Sequence, residues 1–119
     1  MIAPSLALVQ SRHVSTREVG IGRMYRWHSG PAALPEVVAQ GGTEALLRAL
    51  PSAGPEARLR ILELLLNLVP VADARARLIA HDAASISNTS CMMLKEEDAP
   101  MHERCEALAS ALVEALRSP

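Results

Sequence analysis

The chain has 119 residues, enough for one small domain, and half of them are hydrophobic. A formal net charge of −1 gives no overall field that would attract nucleic acid, and no apolar run approaches the roughly 18 residues of a membrane span. The sequence contains no Phe, one Trp and one Tyr, so Leu, Ala, Val and Ile must build the core. Leu and Ala favour helices, whereas β-branched and aromatic residues favour strands, and the composition therefore indicates an all-α fold.

Residues 1–30 show weak periodicity, and Gly20, Gly22 and Gly30 interrupt them. We expect a mostly irregular leader, disordered or poorly packed, with room for one short helix around residues 4–10. The four arginines, several serines and single acid of this segment also fit a mitochondrial targeting sequence that is cleaved on import. A small mitochondrial helical protein is therefore one alternative to a cytoplasmic one.

Cations and aromatic rings interleave at Arg23, Tyr25, Arg26 and Trp27. Such a set can stack on bases or lie at a membrane interface. Without helical amphipathicity the set is thin support for either role, and we expect neither a nucleic-acid nor a membrane partner. The commoner arrangement is a solvated segment, or one in which Trp27 docks on the protein's own first helix.

From Pro31 onward, turn residues punctuate the chain at regular intervals. Gly41 and Gly42 suit a helix end because glycine accepts the left-handed conformation, and Pro55 and Pro100 suit a first helical turn. Together with the apolar periodicity they predict helices over residues 34–40, 43–50, 55–69, 72–81 and 100–117. Between the last two helices we expect a polar loop at 83–90, one helical turn at 91–94 and a charged turn at 95–99.

The helix predicted over residues 55–69 is apolar around most of its circumference and should be buried between neighbours. Its exception is a polar stripe, which we define as Glu56, Arg60, Glu63 and Asn67. Steps of four, three and four residues place these side chains on one face. Such a stripe is usually a solvated helix face, and its functional interpretation is the wall of a partner-binding groove.

The order short helix, short helix, long helix occurs twice in the predicted elements. A shift of 46 residues aligns three pairs in the two long helices: Arg58 with Arg104, Leu62 with Leu108, and Leu66 with Leu112. Internal repeats of about 40 residues are typical of helical solenoids.

Residues 37–50 are similar to the first and second helices of an armadillo repeat, and the Leu-Leu-Leu-Asn-Leu of residues 64–68 resembles the end of its third helix. The resemblance covers residues 31–69 well and 72–117 loosely. It implies a short, right-handed, armadillo-like helical solenoid of about two repeats over 31–117, the second degenerate, preceded by the irregular leader. HEAT-like or TPR-like helix pairs are the alternatives.

In the armadillo family, third helices stack into a concave groove, and an Asn near the end of each binds the backbone of an extended peptide. Only Asn67 matches that position, because the shift of 46 places Val113 opposite it, so an Asn ladder is not expected. The resemblance implies a protein-binding adaptor or scaffold that holds a segment of another protein along the third-helix face. The expected partner-binding residues are the polar stripe, Glu56, Arg60, Glu63 and Asn67, continued by Arg104 and Glu106.

Two repeats fall short of the roughly three that a solenoid needs to bury its faces. The chain could therefore be a truncated fragment of a longer repeat protein, could associate with itself, or could use residues 1–30 as a cap.

The sequence gives only weak indications of a metal site or a catalytic site. His102 and Cys105 lie one helical turn apart, with His81 and Cys91 upstream, but the paired spacing of a structural zinc site is missing. The neighbouring acids disfavour a reactive thiolate at Cys105. We expect no enzyme activity, no metal and no cofactor, with Cys105 as a buried free thiol. Two cysteines are few for a small secreted scaffold, so a reducing, cytoplasmic location is the favoured one.

Overall fold

The computed structural model describes residues 2–71, 73–92 and 99–117, and these residues form helices and turns without a strand. Their α-helices, in chain order, are α1 (Ala3–Val9), α2 (Val14–Trp27), α3 (Leu34–Ala39), α4 (Gly42–Ala49), α5 (Pro55–Leu68), α6 (Ala74–Ala80), α7 (Ala83–Met92) and α8 (Ala99–Arg117). A short 3-10 helix, Leu50–Ser52, follows α4 directly. The all-α fold predicted from the composition is confirmed.

The five helices predicted after residue 31 are confirmed as α3, α4, α5, α6 and α8, each within two residues of the expected ends. Their boundaries follow from local backbone chemistry. Gly41, between α3 and α4, has a φ of 81°, a conformation that residues with a Cβ rarely adopt. Pro35 and Pro55 occupy the first turns of α3 and α5, where a missing backbone N–H costs no hydrogen bond.

Residues 1–30 are not the irregular leader that the sequence predicted, because α1 and α2 occupy most of them. Gly20, expected to break a helix, lies inside α2 where that helix crosses α1. A Cβ at Gly20 would lie 2.7 Å from the backbone nitrogen of Val9 and 2.9 Å from the carbonyl oxygen of Ser5. The glycine therefore permits a close helix contact. His28, directly after α2, is buried with its Nε2 atom 3.4 Å from the hydroxyl of Ser5 in α1, and burial lowers its pKa.

The polar loop predicted over residues 83–90 is also wrong, because α7 runs through it to Met92. Ser and Asn favour turns when their side chains compete for backbone groups. Here Ser87 and Ser90 are buried in the protein interior, and the Ser90 hydroxyl donates to the carbonyl of Ile86 at 2.7 Å. Tertiary burial thus overrides the local preference. Of the two turns predicted at 91–94 and 95–99, residues 93–98 lie outside the described part of the chain.

Helix α5 is the centre of the fold. It packs against α2 on one side and α8 on the other, and its Ile61, Leu62, Leu65 and Leu68 are inaccessible to solvent. Each such side chain stabilises the fold by about 1.5–3 kcal/mol relative to exposure. Helix α4 contacts α1 and α6. The molecule measures 37 × 36 × 21 Å, and its smallest dimension matches two helix layers of about 10 Å each.

Polar contacts fix α2 beside the start of α5. Arg17 donates from Nη2 to the hydroxyl of Ser52 at 3.1 Å, and the backbone N–H of Gly54 donates to Glu18 Oε1 at 3.2 Å. Ser52 is the last residue of the 3-10 helix, and Gly54 directly precedes α5. These contacts hold the first turns of α2 at the start of α5.

A disulfide bond joins Cys91 of α7 to Cys105 of α8, closing a ring with a sequence separation of 14. Both residues are buried, as expected for Cys105, but the expectation of a free thiol there is wrong. A disulfide persists in oxidising surroundings. The bond is therefore at odds with the reducing compartment that the low cysteine count suggested.

Removing this disulfide should destabilise the protein. The double substitution Cys91→Ser, Cys105→Ser opens a ring whose closure is worth about 3 kcal/mol of chain entropy, and we expect the melting temperature to fall by about 10 °C. Thermal melting followed by far-ultraviolet circular dichroism measures the change. A reductant should lower the melting temperature of the wild type and leave that of the double variant unaltered. Equal melting temperatures for the oxidised wild type and the variant would contradict the prediction.

The close contact of α1 with α2 predicts opposite effects for two glycines on the same helix. Gly20→Ala should destabilise the protein by about 1–3 kcal/mol, because the added methyl group meets backbone atoms that cannot move independently. Gly22→Ala is the matched control, since its Cβ would meet no atom closer than the Arg60 guanidinium at 3.6 Å. It should stabilise the helix by about 0.5–1 kcal/mol. Urea denaturation compares the two, and equal effects would show that α1 does not pack at Gly20.

Candidate protein-binding surface

The polar stripe lies at the surface of α5, in the strip between α2 and α8. Glu56 and Asn67 are exposed, whereas Arg60 and Glu63 are half-buried. The structure therefore places all four side chains where solvent or a partner can reach them. Their role in binding stays a prediction.

Three members of the stripe line a surface cleft together with side chains from both neighbouring helices. The cleft has a volume of about 240 Å³, and Glu56, Arg60 and Glu63 contribute to it from α5. Tyr25 reaches it from α2 and Arg104 from α8. Residues from three separate parts of the chain thus meet in one concave site.

A network of polar contacts holds this cleft in shape. Arg60 donates from Nη2 to Glu56 Oε1 at 2.9 Å, and its guanidinium lies 5.8 Å from the centre of the Tyr25 ring. The Tyr25 hydroxyl donates in turn to Glu63 Oε2. Each exposed contact is worth about 1 kcal/mol or less. Their combined effect is to orient these four side chains relative to one another.

The same network changes the acidity of Tyr25. The hydrogen bond to Glu63 raises the pKa of the phenol, and partial burial and the negative charge of Glu63 act in the same direction. The positive charges of Arg60 and Arg104 oppose this effect and lower the pKa. The net result is a pKa above the ordinary value of 10.0.

Asn67 lies in a second cleft at the other end of α5, about 16 Å from Glu56 by helical rise. This cleft has a volume of about 480 Å³, and its lining is largely apolar: Ser29, Pro31, Leu34, Leu66, Asn67, Pro70 and Val71. Within the described residues the side-chain amide of Asn67 makes no hydrogen bond. Its donor and acceptor are therefore both available beside an apolar wall.

The two residues predicted on α8 are separated by the structure. Arg104 lines the cleft with Glu63, but Glu106 lies about 200° further around the helix. Glu106 Oε2 is 3.0 Å from His102 Nε2, and His102 Nδ1 is 2.8 Å from the carbonyl oxygen of Cys91. Glu106 therefore faces the α7 side of α8, and the expectation that it continues the surface is wrong for its position.

The outer face of α2 was missed as part of this surface. Trp27 does not dock on the first helix, since its side chain is 60% exposed, and Val19 is 52% exposed. The guanidinium groups of Arg23 and Arg26 lie 6.0 and 5.8 Å from the centre of the Trp27 ring. The interleaved cations and aromatic residues were visible in the sequence, but only a helix over residues 14–27 places them beside α5.

A third cleft, of about 490 Å³, lies between α2 and α5. Its lining residues are Val19, Gly22, Arg23, Tyr25, Arg26 and Arg60. Tyr25 and Arg60 also line the cleft that holds Glu63, so the two clefts adjoin. The depressions between α2, α5 and α8 therefore meet at Tyr25 and Arg60, whereas the cleft that holds Asn67 shares no lining residue with them.

Among the described residues, no three His, Cys, Asp or Glu side chains cluster in a way that could hold a metal ion. None of the described helices combines the length and apolar character needed to span a membrane. No protein-family model, curated protein or solved structure matches this chain. The similarity to armadillo repeats consequently stays a prediction from the sequence.

Titration of Tyr25 tests the network directly, because it is the single tyrosine of the chain. The near-ultraviolet absorbance of the phenolate should give a midpoint above the ordinary pKa of 10.0. Glu63→Gln removes the negative charge and should move the midpoint down towards 10.0. Arg60→Gln removes a cation that favours the phenolate and should move it up. Shifts in the same direction for both variants would contradict the observed contacts, provided circular dichroism shows that the helices persist.

Proposed function

We propose that this protein is an adaptor or scaffold that binds a segment of another protein along the face where α2, α5 and α8 lie side by side. The observation that carries the proposal is the convergence of Tyr25, Glu63 and Arg104 in one cleft. These residues come from three different helices, and a surface assembled from distant parts of a chain is suited to recognising a shape larger than a single side chain.

The proposal includes an armadillo-like solenoid arrangement. Two features support it: the repeated order of two short helices and one long helix in α3–α4–α5 and α6–α7–α8, and the contact of α5 with α8. Helices α1 and α2 add a further pair, and α2 contacts α5 from the other side. Three long helices would then line one face, which meets the need of a solenoid for about three stacked units.

Binding in this proposal combines preorganised charges with an unengaged amide. Arg60 and Glu63 are already held by neighbouring side chains, so fixing them against a partner costs little conformational entropy. Asn67 can donate to and accept from the backbone of an extended segment while apolar side chains of that segment fill the adjoining cleft. The expected complex is a peptide-like segment lying along α5 from Glu56 to Asn67.

The proposal predicts that Arg60→Ala combined with Asn67→Ala reduces partner capture by about tenfold without loss of helicity, as expected when about 1.4 kcal/mol of binding energy is lost. A matched control is Arg48→Ala with Gln40→Ala, which removes one exposed arginine and one exposed amide on other faces. Proximity labelling in cells, followed by quantitative comparison of wild type, variant and control, measures capture. Circular dichroism checks the fold of each.

A photo-crosslinking residue supplies an independent readout of location. Placed at Asn67, it should yield discrete crosslinked partners, whereas placed at Ile79 of α6, which is also exposed, it should not. Identical crosslinking patterns at the two positions, or undiminished capture by the Arg60→Ala, Asn67→Ala variant, would remove the basis for a binding face along α5.

A further inference from the structure

The cleft between α2 and α5 has a distinct chemistry within the proposed binding face. Val19, Gly22, Arg23 and Arg26 share one side of α2 because they follow steps of three, one and three residues. Arg60 reaches this side from α5, and its Nη1 atom lies 3.6 Å from where a Cβ of Gly22 would be. The missing side chain of Gly22 leaves the floor of the cleft open between the cations.

Arg23 and Arg26 are the unneutralised cations of this cleft. Neither forms an ion pair with an acidic residue of the described chain, whereas Arg60 is paired with Glu56. Both guanidinium groups lie about 6 Å from the centre of the Trp27 ring, a range in which the ring attracts a cation and helps to orient it. An oriented guanidinium keeps its N–H edge available for a carboxylate, which it can bind through two parallel hydrogen bonds.

Exposed apolar and aromatic surface surrounds these charges. Trp27 and Val19 are more than half exposed, and Tyr25 is 36% exposed. Trp, Tyr and Arg are the residue types that most often carry the binding energy of protein interfaces. The patch therefore combines an anchor for apolar side chains with a site for negative charge.

We propose that the partner segment is acidic, and that its carboxylates bind Arg23 and Arg26 beside Trp27 in the cleft between α2 and α5. This proposal rests on the proposed function, since it specifies the chemistry of the segment that would lie along the α5 face. The charge pattern of the surface favours an acidic protein segment over a nucleic acid. A protein segment can place its carboxylates only where they meet Arg23 and Arg26, whereas Glu56 and Glu63 in the adjoining cleft would repel a continuous phosphate backbone. An anionic membrane is disfavoured because stable adsorption uses clusters of about four to eight basic residues.

Trp27 provides the readout, because it is the single tryptophan of the chain. A short synthetic peptide that alternates Glu with Ala should change the Trp27 emission on titration, because carboxylates bound to Arg23 and Arg26 alter the charge beside the ring. A peptide with Gln in place of Glu should produce no change at the same concentration. Raising the salt concentration should weaken the binding, as expected for charge pairs at the surface.

Charge reversal locates the site. Arg23→Glu combined with Arg26→Glu should weaken binding of the Glu–Ala peptide by at least tenfold. The matched control, Arg12→Glu with Arg48→Glu, produces the same change in net charge at two exposed arginines that do not line this cleft, and should weaken it by less than threefold. Circular dichroism confirms that both variants keep the helical signal. Both variants retain Trp27, so the same fluorescence measurement applies to each.

Several outcomes would overturn the proposal. Equal losses in the two charge-reversed variants would show that only net charge matters, and undiminished binding by Arg23→Glu, Arg26→Glu would place the site elsewhere. Tighter binding of a single-stranded oligonucleotide, or of vesicles containing phosphatidylserine, would replace the acidic segment with another occupant. Self-association that disappears on charge reversal, measured by analytical ultracentrifugation, would identify a second copy of the chain instead. None of these outcomes bears on crosslinking at Asn67, so failure here is distinguishable from failure of the proposed function.

Discussion

Burial of the aliphatic face of α5 is the constraint on which the rest of the structure depends. Ile61, Leu62 and Leu65 are inaccessible to solvent because α2 covers one side of the helix and α8 the other. Once both flanks are covered, a narrow strip of α5 remains at the surface, and the polar stripe occupies it. The location of the candidate binding face is therefore a consequence of how the core is packed.

Local sequence signals predicted the helices whose ends depend on residues at those ends. They failed where a contact with a distant part of the chain determines the local structure. Gly41 and Pro55 act on the backbone at their own positions, so the bounds of α3, α4 and α5 could be predicted. Gly20 was interpreted as a breaker because its function, allowing α1 to approach α2, is visible only in the packed structure. Ser87 similarly favours a loop in isolation and is helical here because its face of α7 is buried.

The residues of the candidate site also fall into those that local spacing predicted and those that only the packing of the helices explains. Spacing on one helix was sufficient to predict that Glu56, Arg60 and Glu63 share a face, and the structure places them in one cleft. Aligning the two long helices extended the surface to Arg104 and Glu106 without regard to their angle around α8, which is why Glu106 was misplaced. The contribution of α2 could not be predicted, because a segment taken to be irregular has no face to present.

The placement of the two aromatic residues connects the core to the binding face. A large ring usually contributes more buried area than any aliphatic side chain, so a small domain commonly uses its aromatic residues inside. This chain packs its interior with Leu, Ile, Val, Ala and Met, and the side chains of both Tyr25 and Trp27 are exposed on α2. In the proposed complex, the apolar surface of these rings contacts the partner segment, and the adjacent arginines select a segment with negative charge. A core without aromatic residues and a surface that carries both of them are thus two aspects of one distribution of side chains.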